Sequence, residues 1–180
     1  MMVTFLKVSP KTDRDLRSTA ETAVSLLAEK HRQTALAESC TGGLTAKLIT
    51  DIPGSSDVFE CGIVSYSCAV KERLLGVSRK TIEDCTVVSA EVAVEMADGV
   101  RKVGEADIGI GITGVAGPGP DGIHPEGEIF IALSDGSNAY VVHLQETAGG
   151  REQNRERAAL QALTLLTEYL QDRLGGRPNG

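Results

Sequence analysis

Apolar residues recur at helical spacing in three long stretches of the chain. The first begins near Ser9-Pro10, a cap residue with proline at the first helical position, and the second follows Ser89, a residue type that caps helices. The third covers about 152–173. Three helices are therefore predicted, with core-facing residues Leu16, Ala20, Ala23, Val24 and Leu27 in the first, Val92, Met96, Val100 and Val103 in the second, and Ala159, Leu163, Leu166 and Leu170 in the third.

Short apolar runs bounded by glycine, proline or serine predict five strands. These strands cover about 34–38, 61–67, 107–113, 128–133 and 139–144, and a hairpin-length connection joins the last two. Two shorter helices are predicted at about 44–50 and 70–75. Strands that first alternate with helices and then form a hairpin indicate an α/β fold. We predict a three-layer α/β/α sandwich with a mixed, mostly parallel five-stranded sheet.

Length and composition narrow the class of protein. The 180 residues fit a single domain over 1–180, with a tail expected to be disordered from about 174. A net charge of −7 argues against broad nucleic-acid binding, and the absence of tryptophan among only 3% aromatic residues argues against base-stacking surfaces. The sequence shows neither the long apolar run of a membrane span nor the apolar stretch of a signal peptide. We therefore expect a cytoplasmic protein with no membrane or nucleic-acid partner.

Cysteine and histidine are scattered along the chain. Neither the four cysteines nor the three histidines have the spacing of metal ligands, and the cysteines include no CxxC pair. In a reducing compartment the cysteines are expected to remain thiols. We expect no metal and no cofactor.

Two glycine-rich segments follow predicted strands, where α/β sheets bind their ligands. Residues 38–43 read ESCTGG and residues 113–119 read TGVAGPG. Neither is a Walker loop or a dinucleotide-binding fingerprint. Both allow backbone N–H groups to approach an anion or an oxyanion closely. Tight turns that need glycine for steric reasons alone are the alternative.

Ser39 lies at a strand-to-helix turn, where a nucleophile would be exposed among backbone donors. A serine there is more often a helix N-cap, and the surrounding residues match neither GxSxG nor SxxK. A base would have to come from elsewhere, and His124 is the one histidine near the glycines. Lys71 is the other candidate if burial or a neighbouring cation lowers its pKa from about 10.4. Otherwise Lys71 is a solvated lysine on a short helix.

Taken together, these motifs resemble the CinA C-terminal domain family, the PncC-type nicotinamide mononucleotide amidases. The resemblance covers about residues 12–172 and corresponds to the family's stand-alone form. The matching segments, in the family's order, are 37–43, 53–56, 62–67 with Lys71, 74–77, 88–89 with 91–93, 113–118, and 150–152 with Arg155.

The resemblance implies an amidohydrolase that converts nicotinamide mononucleotide to nicotinate mononucleotide and ammonia. By the same match Ser39 is the nucleophile, Lys71 is its base and Tyr66 lies nearby. Backbone N–H groups near 39–43 or 113–114 would hold the oxyanion. The residues expected to bind substrate or shape the pocket are Thr41, Gly42, Gly43, Thr113, Gly114, Ala116, Gly117, Arg151 and Arg155. The substrate is a pyridine nucleotide, and we expect a homo-oligomer, with a homodimer as its simplest form.

One loop departs from the family pattern. After the second glycine loop the family usually continues through Lys-Pro-Val-Gly, whereas this chain has His124-Pro125-Glu126-Gly127. The difference concerns specificity at that edge of the pocket. Two other functions stay open: a non-catalytic nucleotide-binding or interaction module of the competence or damage-inducible type, and a thiol enzyme that uses Cys40.

Overall fold

One mixed sheet lies at the centre of the computed structural model, which describes residues 1–7 and 15–174. Within these residues the strands are β1 Met2–Leu6, β2 Thr34–Glu38, β3 Phe59–Val64, β4 Ile108–Gly114, β5 Ile129–Ser134 and β6 Asn138–Leu144. Their order in the sheet is β1-β6-β5-β4-β2-β3. Only β5 runs antiparallel to its neighbours, so the predicted mixed, mostly parallel sheet is confirmed with six strands instead of five.

Helices cover both faces of the sheet. They are α1 Leu16–Glu29, α2 Leu44–Thr50, α3 Cys68–Leu75, α4 Arg79–Cys85, α5 Ala90–Val103 and α6 Arg151–Leu170. Helices α1, α2 and α6 pack together on one face, while α3 and α4 pack against α5 on the other. This arrangement confirms the predicted three-layer α/β/α sandwich.

Several boundaries differ from the sequence prediction. Ser9-Pro10 and the tail from 175 lie outside the described residues, and α1 is capped by Asp15, whose carboxylate accepts a hydrogen bond from the Ser18 amide. β1 and α4 were not predicted. β1 is a short edge strand with no fully buried residue, and α4 buries none of its residues, so neither has a buried face that sequence periodicity would mark.

Glycines in β4 explain how closely α5 lies on the sheet. A Cβ atom on Gly109 would lie 2.0 Å from the Ala97 carbonyl oxygen, and one on Gly111 would lie 2.3 Å from that of Ala93. The isoleucines that alternate with these glycines are buried in the core on the opposite face of the sheet. The alternation of glycine and isoleucine in 107–113 therefore lets α5 lie close to one face of the sheet and places large apolar side chains on the other face.

The sheet register places three predicted site segments side by side. β2, β3 and β4 are parallel neighbours, and Glu38 at the end of β2 pairs with Val64 of β3 and Ile112 of β4. The residues that follow these strands therefore emerge at one edge of the sheet. Ser39 and Thr113 are thus brought close to the segment that leads into α3.

Candidate active site

A cleft of about 600 Å³ opens at this edge of the sheet, within the usual size range of small-molecule sites. Segments that follow β2, β3 and β4 form it, together with the start of α6. Its lining residues are Ser39, Cys40, Tyr66, Ser67, Cys68, Lys71, Val87, Val88, residues 113–121 and Arg151.

Ser39 is held at the first position of a tight turn between β2 and α2. Its amide donates to the Ile112 carbonyl oxygen of β4, and its own carbonyl accepts from the Gly42 amide at 3.1 Å. Gly42 and Gly43 have φ angles of 63° and 92°, values that glycine adopts without a steric penalty. The N-cap of α2 is Gly43, so the Ser39 side chain does not cap that helix.

Glu38 fixes the other end of the turn. Its carboxylate is buried and accepts hydrogen bonds from the amides of Gly43, Thr45 and Ala46, at 3.1, 3.1 and 2.8 Å. The carboxylate therefore accepts hydrogen bonds from amides that the first turn of α2 leaves without backbone partners. Its negative charge also interacts favourably with the positive end of the helix dipole. The sequence showed Glu38 as part of the motif but did not indicate this role.

Lys71 meets Ser39 at the base of the cleft. Its Nζ lies 3.0 Å from Ser39 Oγ and also donates to the Ser65 carbonyl oxygen. The lysine side chain is fully buried, and burial lowers its pKa from the ordinary value, against smaller opposing effects of Cys68 and Cys40. A buried amine that can be neutral, at hydrogen-bond distance from a serine hydroxyl, has the geometry of a general base and its nucleophile.

The two arginines that were predicted to bind substrate or shape the pocket contact backbone carbonyls. Arg151 donates to the Gly117 carbonyl oxygen, and Arg155 donates to that of Thr41 through Nε at 3.1 Å and Nη2 at 2.6 Å. Neither contributes to the lowered pKa of Lys71, which results from burial.

The remaining candidate nucleophile and base are less suited to the reaction. Burial raises the pKa of the Cys40 thiol to about 12, so this thiol stays protonated and unreactive near neutral pH. His124 lies outside the cleft lining, and its ring nitrogens contact Thr86 Oγ1 at 2.8 Å and Glu128 Oε2 at 2.9 Å. Tyr66 does line the cleft, and its side chain is exposed.

The residues predicted to bind substrate fall into two groups. Five of them line the cleft, namely Thr113, Gly114, Ala116, Gly117 and Arg151. Thr41, Gly42, Gly43 and Arg155 do not line it. Thr113 Oγ1 donates to the Val87 carbonyl oxygen at 2.8 Å, so this hydroxyl already joins two walls of the cleft. The second group forms or contacts the turn behind Ser39.

Amides in that turn differ in what they can still bind. Gly42 N–H donates to Ser39 and Gly43 N–H donates to Glu38, so neither is available to an oxyanion. The amides of Cys40 and Thr41 donate to no oxygen within the described part of the chain. They are therefore the donors of this turn that an oxyanion beside Ser39 could use.

A polar network that the sequence did not indicate supports the second glycine loop. Glu126 accepts from the Gly119 amide at 2.7 Å, and buried Asn154 donates to the Ala116 carbonyl oxygen at 3.0 Å. Asn154 Nδ2 also reaches Glu126 Oε1 at 3.3 Å. Glu126, one of the two residues that depart from the family pattern, thus holds the cleft wall. Asn154 is distant in sequence and reaches this loop only through the fold.

Residues 1–7 and 15–174 contain neither a metal-ligand cluster nor a membrane-spanning helix. No group of three or more histidine, cysteine, aspartate or glutamate side chains is arranged there to hold a metal ion. In the same residues no helix combines the length and apolar character that crossing a membrane requires.

Comparisons with known proteins agree with this architecture. A CinA-like protein of Chlorobium limicola is 46% identical over 160 residues, which are 86% of this chain and 37% of that protein. The chain thus spans little more than a third of that curated relative. The competence/damage-inducible protein CihA of Agrobacterium tumefaciens has a TM-score of 0.82 at 30% identity, covering 91% of this chain and 99% of that one. For a CinA superfamily protein of Escherichia coli the TM-score is 0.84 at 29% identity, covering 89% and 94%.

The family model named for the CinA C-terminal domain matches residues 16–170. The match spans β2 to β6, both helical layers and the whole cleft. The resemblance inferred from the motifs is therefore confirmed, and the chain belongs to the CinA C-terminal domain family.

Proposed function

We propose that the chain is a nicotinamide-nucleotide amidase, which hydrolyses nicotinamide mononucleotide to nicotinate mononucleotide and ammonia. The observation that carries the proposal is the contact of 3.0 Å between Ser39 Oγ and the buried amine of Lys71. An amide is a poor electrophile, so a covalent route with an activated serine suits its hydrolysis. The family resemblance supplies the substrate.

The first half of the reaction forms an ester. Neutral Lys71 takes the hydroxyl proton of Ser39 while Oγ attacks the carboxamide carbon of the substrate. The carbonyl oxygen becomes an oxyanion, to which the amides of Cys40 and Thr41 can donate. Lys71 then passes its proton to the amide nitrogen, the carbon–nitrogen bond breaks, and ammonia leaves.

The second half repeats the same proton transfers with water. Lys71 takes a proton from a water molecule that attacks the ester carbon, and it returns that proton to Ser39 Oγ as the ester bond breaks. The acid form of the pyridine nucleotide is the product. Ser65 O supports both halves, because a hydrogen bond to this carbonyl keeps the Lys71 amine directed at the serine.

Arg151 is the candidate for binding the substrate phosphate. It lies at the first turn of α6, its side chain lines the cleft and is exposed, and it uses Nη1 to reach Gly117. A guanidinium at a helix N-terminus combines a full positive charge with the dipole of the helix.

The direct test is ammonia release from nicotinamide mononucleotide, with Ser39→Ala and Cys40→Ala assayed beside the wild type. Ser39→Ala is expected to keep its fold and to lose several orders of magnitude in rate, because the covalent route is gone. Cys40→Ala is expected to stay active, since a protonated buried thiol takes no part.

Two outcomes would contradict the proposal. If Ser39→Ala retains a tenth of the wild-type rate while Cys40→Ala does not, the nucleophile is a thiol. If the folded wild type binds the nucleotide and releases no ammonia from it or from related pyridine nucleotides, the chain is a binding module.

A further inference from the structure

Arg155 lies on α6 and reaches across to the turn that carries Ser39. Its Nε and Nη2 both donate to the Thr41 carbonyl oxygen, at 3.1 and 2.6 Å. The guanidinium is half-buried, and its Nη2 would lie 3.3 Å from a Cβ atom on Gly42. These contacts point the arginine at the back of the turn, away from the cleft that the substrate would enter.

The Thr41–Gly42 peptide is fixed on both of its polar groups. Its carbonyl oxygen accepts hydrogen bonds from Arg155 and, at 3.3 Å, from the Leu44 amide, and its N–H donates to the Ser39 carbonyl oxygen at 3.1 Å. Two residues later the Gly43 amide is bound by Glu38. The turn is therefore anchored by a cation on one side and a carboxylate on the other, while the amides of Cys40 and Thr41 donate to no oxygen among the described residues and face the Cys40 sulfur instead.

We propose that Arg155 is a positioning residue, which orients the Cys40 and Thr41 amides toward the oxyanion by holding the carbonyl of Thr41. The inference rests on the proposed function, because it concerns the transition state of that reaction. Donors that are fixed before the reaction stabilise an oxyanion most, since they need not reorganise as charge develops. A second bond from the same guanidinium adds angular restraint that a single donor lacks.

Two other roles for Arg155 make different predictions. An arginine that bound the substrate phosphate would affect only phosphorylated substrates. An arginine that kept Lys71 neutral by its charge would shift the pH dependence of the rate when removed. Arg155 contacts the Thr41 carbonyl behind the turn, which argues against phosphate binding. Burial lowers the pKa of Lys71, which argues against charge tuning by Arg155.

The experiment compares Arg155→Met and Arg155→Lys with Arg151→Met, on nicotinamide mononucleotide and on its phosphate-free riboside. Arg155→Met is expected to lower kcat about 10²- to 10³-fold on both substrates, the effect of losing an oxyanion donor, with KM little changed. Arg155→Lys should recover part of kcat through one hydrogen bond. Arg151→Met should raise KM for the nucleotide more than it raises KM for the riboside.

The pH profile of kcat/KM for Arg155→Met is expected to keep the wild-type inflection, because Lys71 is untouched. A rise in KM confined to the nucleotide would overturn the inference in favour of phosphate binding, and a shifted inflection would overturn it in favour of charge tuning. Wild-type kcat in a folded Arg155→Met would also overturn it. If Arg155→Met does not fold, as judged by near-UV circular dichroism, the same comparisons are made on Arg155→Lys.

A fluorophosphonate probe separates this inference from the proposed function. Ser39 attacks its phosphorus, fluoride leaves, and negative charge develops on the phosphoryl oxygen. If the wild type releases no ammonia, the amidase proposal fails, and the labelling rate of Ser39 then decides the role of Arg155. Slower labelling in Arg155→Met supports positioning, and equal labelling refutes it.

Discussion

At the scale of single residues, the proposed reaction depends most on the side-chain amine of Lys71. Lys71→Arg is expected to be as inactive as Lys71→Ala, with a loss of about 10²- to 10⁴-fold in kcat, because a guanidinium does not release its proton. Lys47→Arg is the matched control, since Lys47 lies at the surface in an ion pair with Asp51. An active Lys71→Arg enzyme would show that this position supplies charge and not proton transfer.

Under the proposed function, the same residue sets the direction of the pH dependence of activity. Burial lowers the pKa of Lys71, and a base acts only when deprotonated. The wild-type kcat/KM should therefore rise with pH through the lowered pKa of Lys71 and level off below the ordinary lysine value of about 10.4. A rate that falls over that range would contradict a lysine base.

Sequence motifs located Ser39 and Lys71 but could not show how buried the lysine is. Lys71 lies on a short helix between Val70 and Glu72, a setting typical of a solvated side chain. Its burial results from contacts made across the fold, with Ser39 and Ser65 at its amine. Local sequence does not encode such long-range contacts, and the contact of Arg155 with the Thr41 carbonyl was not predicted for the same reason.

At the scale of elements, β2, α2, α5 and the β5–β6 hairpin were predictable because each has a regular apolar pattern or a recognisable cap. β1 and α4 contain no buried residue, and the sequence pattern did not predict them. Close helix–sheet packing was also invisible in the sequence. In the sequence, the glycines of β4 resemble flexible turn residues. Only the structure shows that α5 packs directly against them.

Gly111→Ala tests that packing. The added methyl group would lie 2.3 Å from a backbone oxygen of α5, which cannot rotate away, so we expect a loss of about 1–3 kcal/mol in the free energy of unfolding. Gly104→Ala is the milder control, because its nearest neighbours are side-chain atoms at 3.1 Å. Urea unfolding monitored by circular dichroism measures both, and an equal cost for the two variants would contradict close α5–β4 packing.

At the scale of the whole molecule, the site and the stability of the fold are coupled through the burial of one amine. The sheet, α3 and the Ser39 turn together remove Lys71 from water, and a protonated amine is disfavoured there. Burial of this amine therefore costs stability, since it favours the neutral form of a group that is protonated in water. This coupling can be measured, because the cost depends on pH.

In the unfolded chain Lys71 has an ordinary pKa of about 10.4, whereas in the folded chain burial holds its pKa lower. Between these two values the unfolded chain binds one more proton, so the wild-type free energy of unfolding rises with pH by up to about 1.36 kcal/mol per pH unit. Below the folded value both states are protonated and the whole cost remains. Above about 10.4 neither state is protonated and the cost vanishes.

Lys71→Met removes the titrating amine and keeps an unbranched side chain. The free energy of unfolding of this variant is therefore expected to exceed that of the wild type most at low pH, and the difference should shrink as the pH rises. Urea unfolding from about pH 6 to about pH 10 measures the difference, which spans the titration of a lysine with a lowered pKa. Lys47→Met provides the reference for a surface lysine. A difference for Lys71→Met that stays as flat as that reference would show that the amine is not held in its neutral form by the fold.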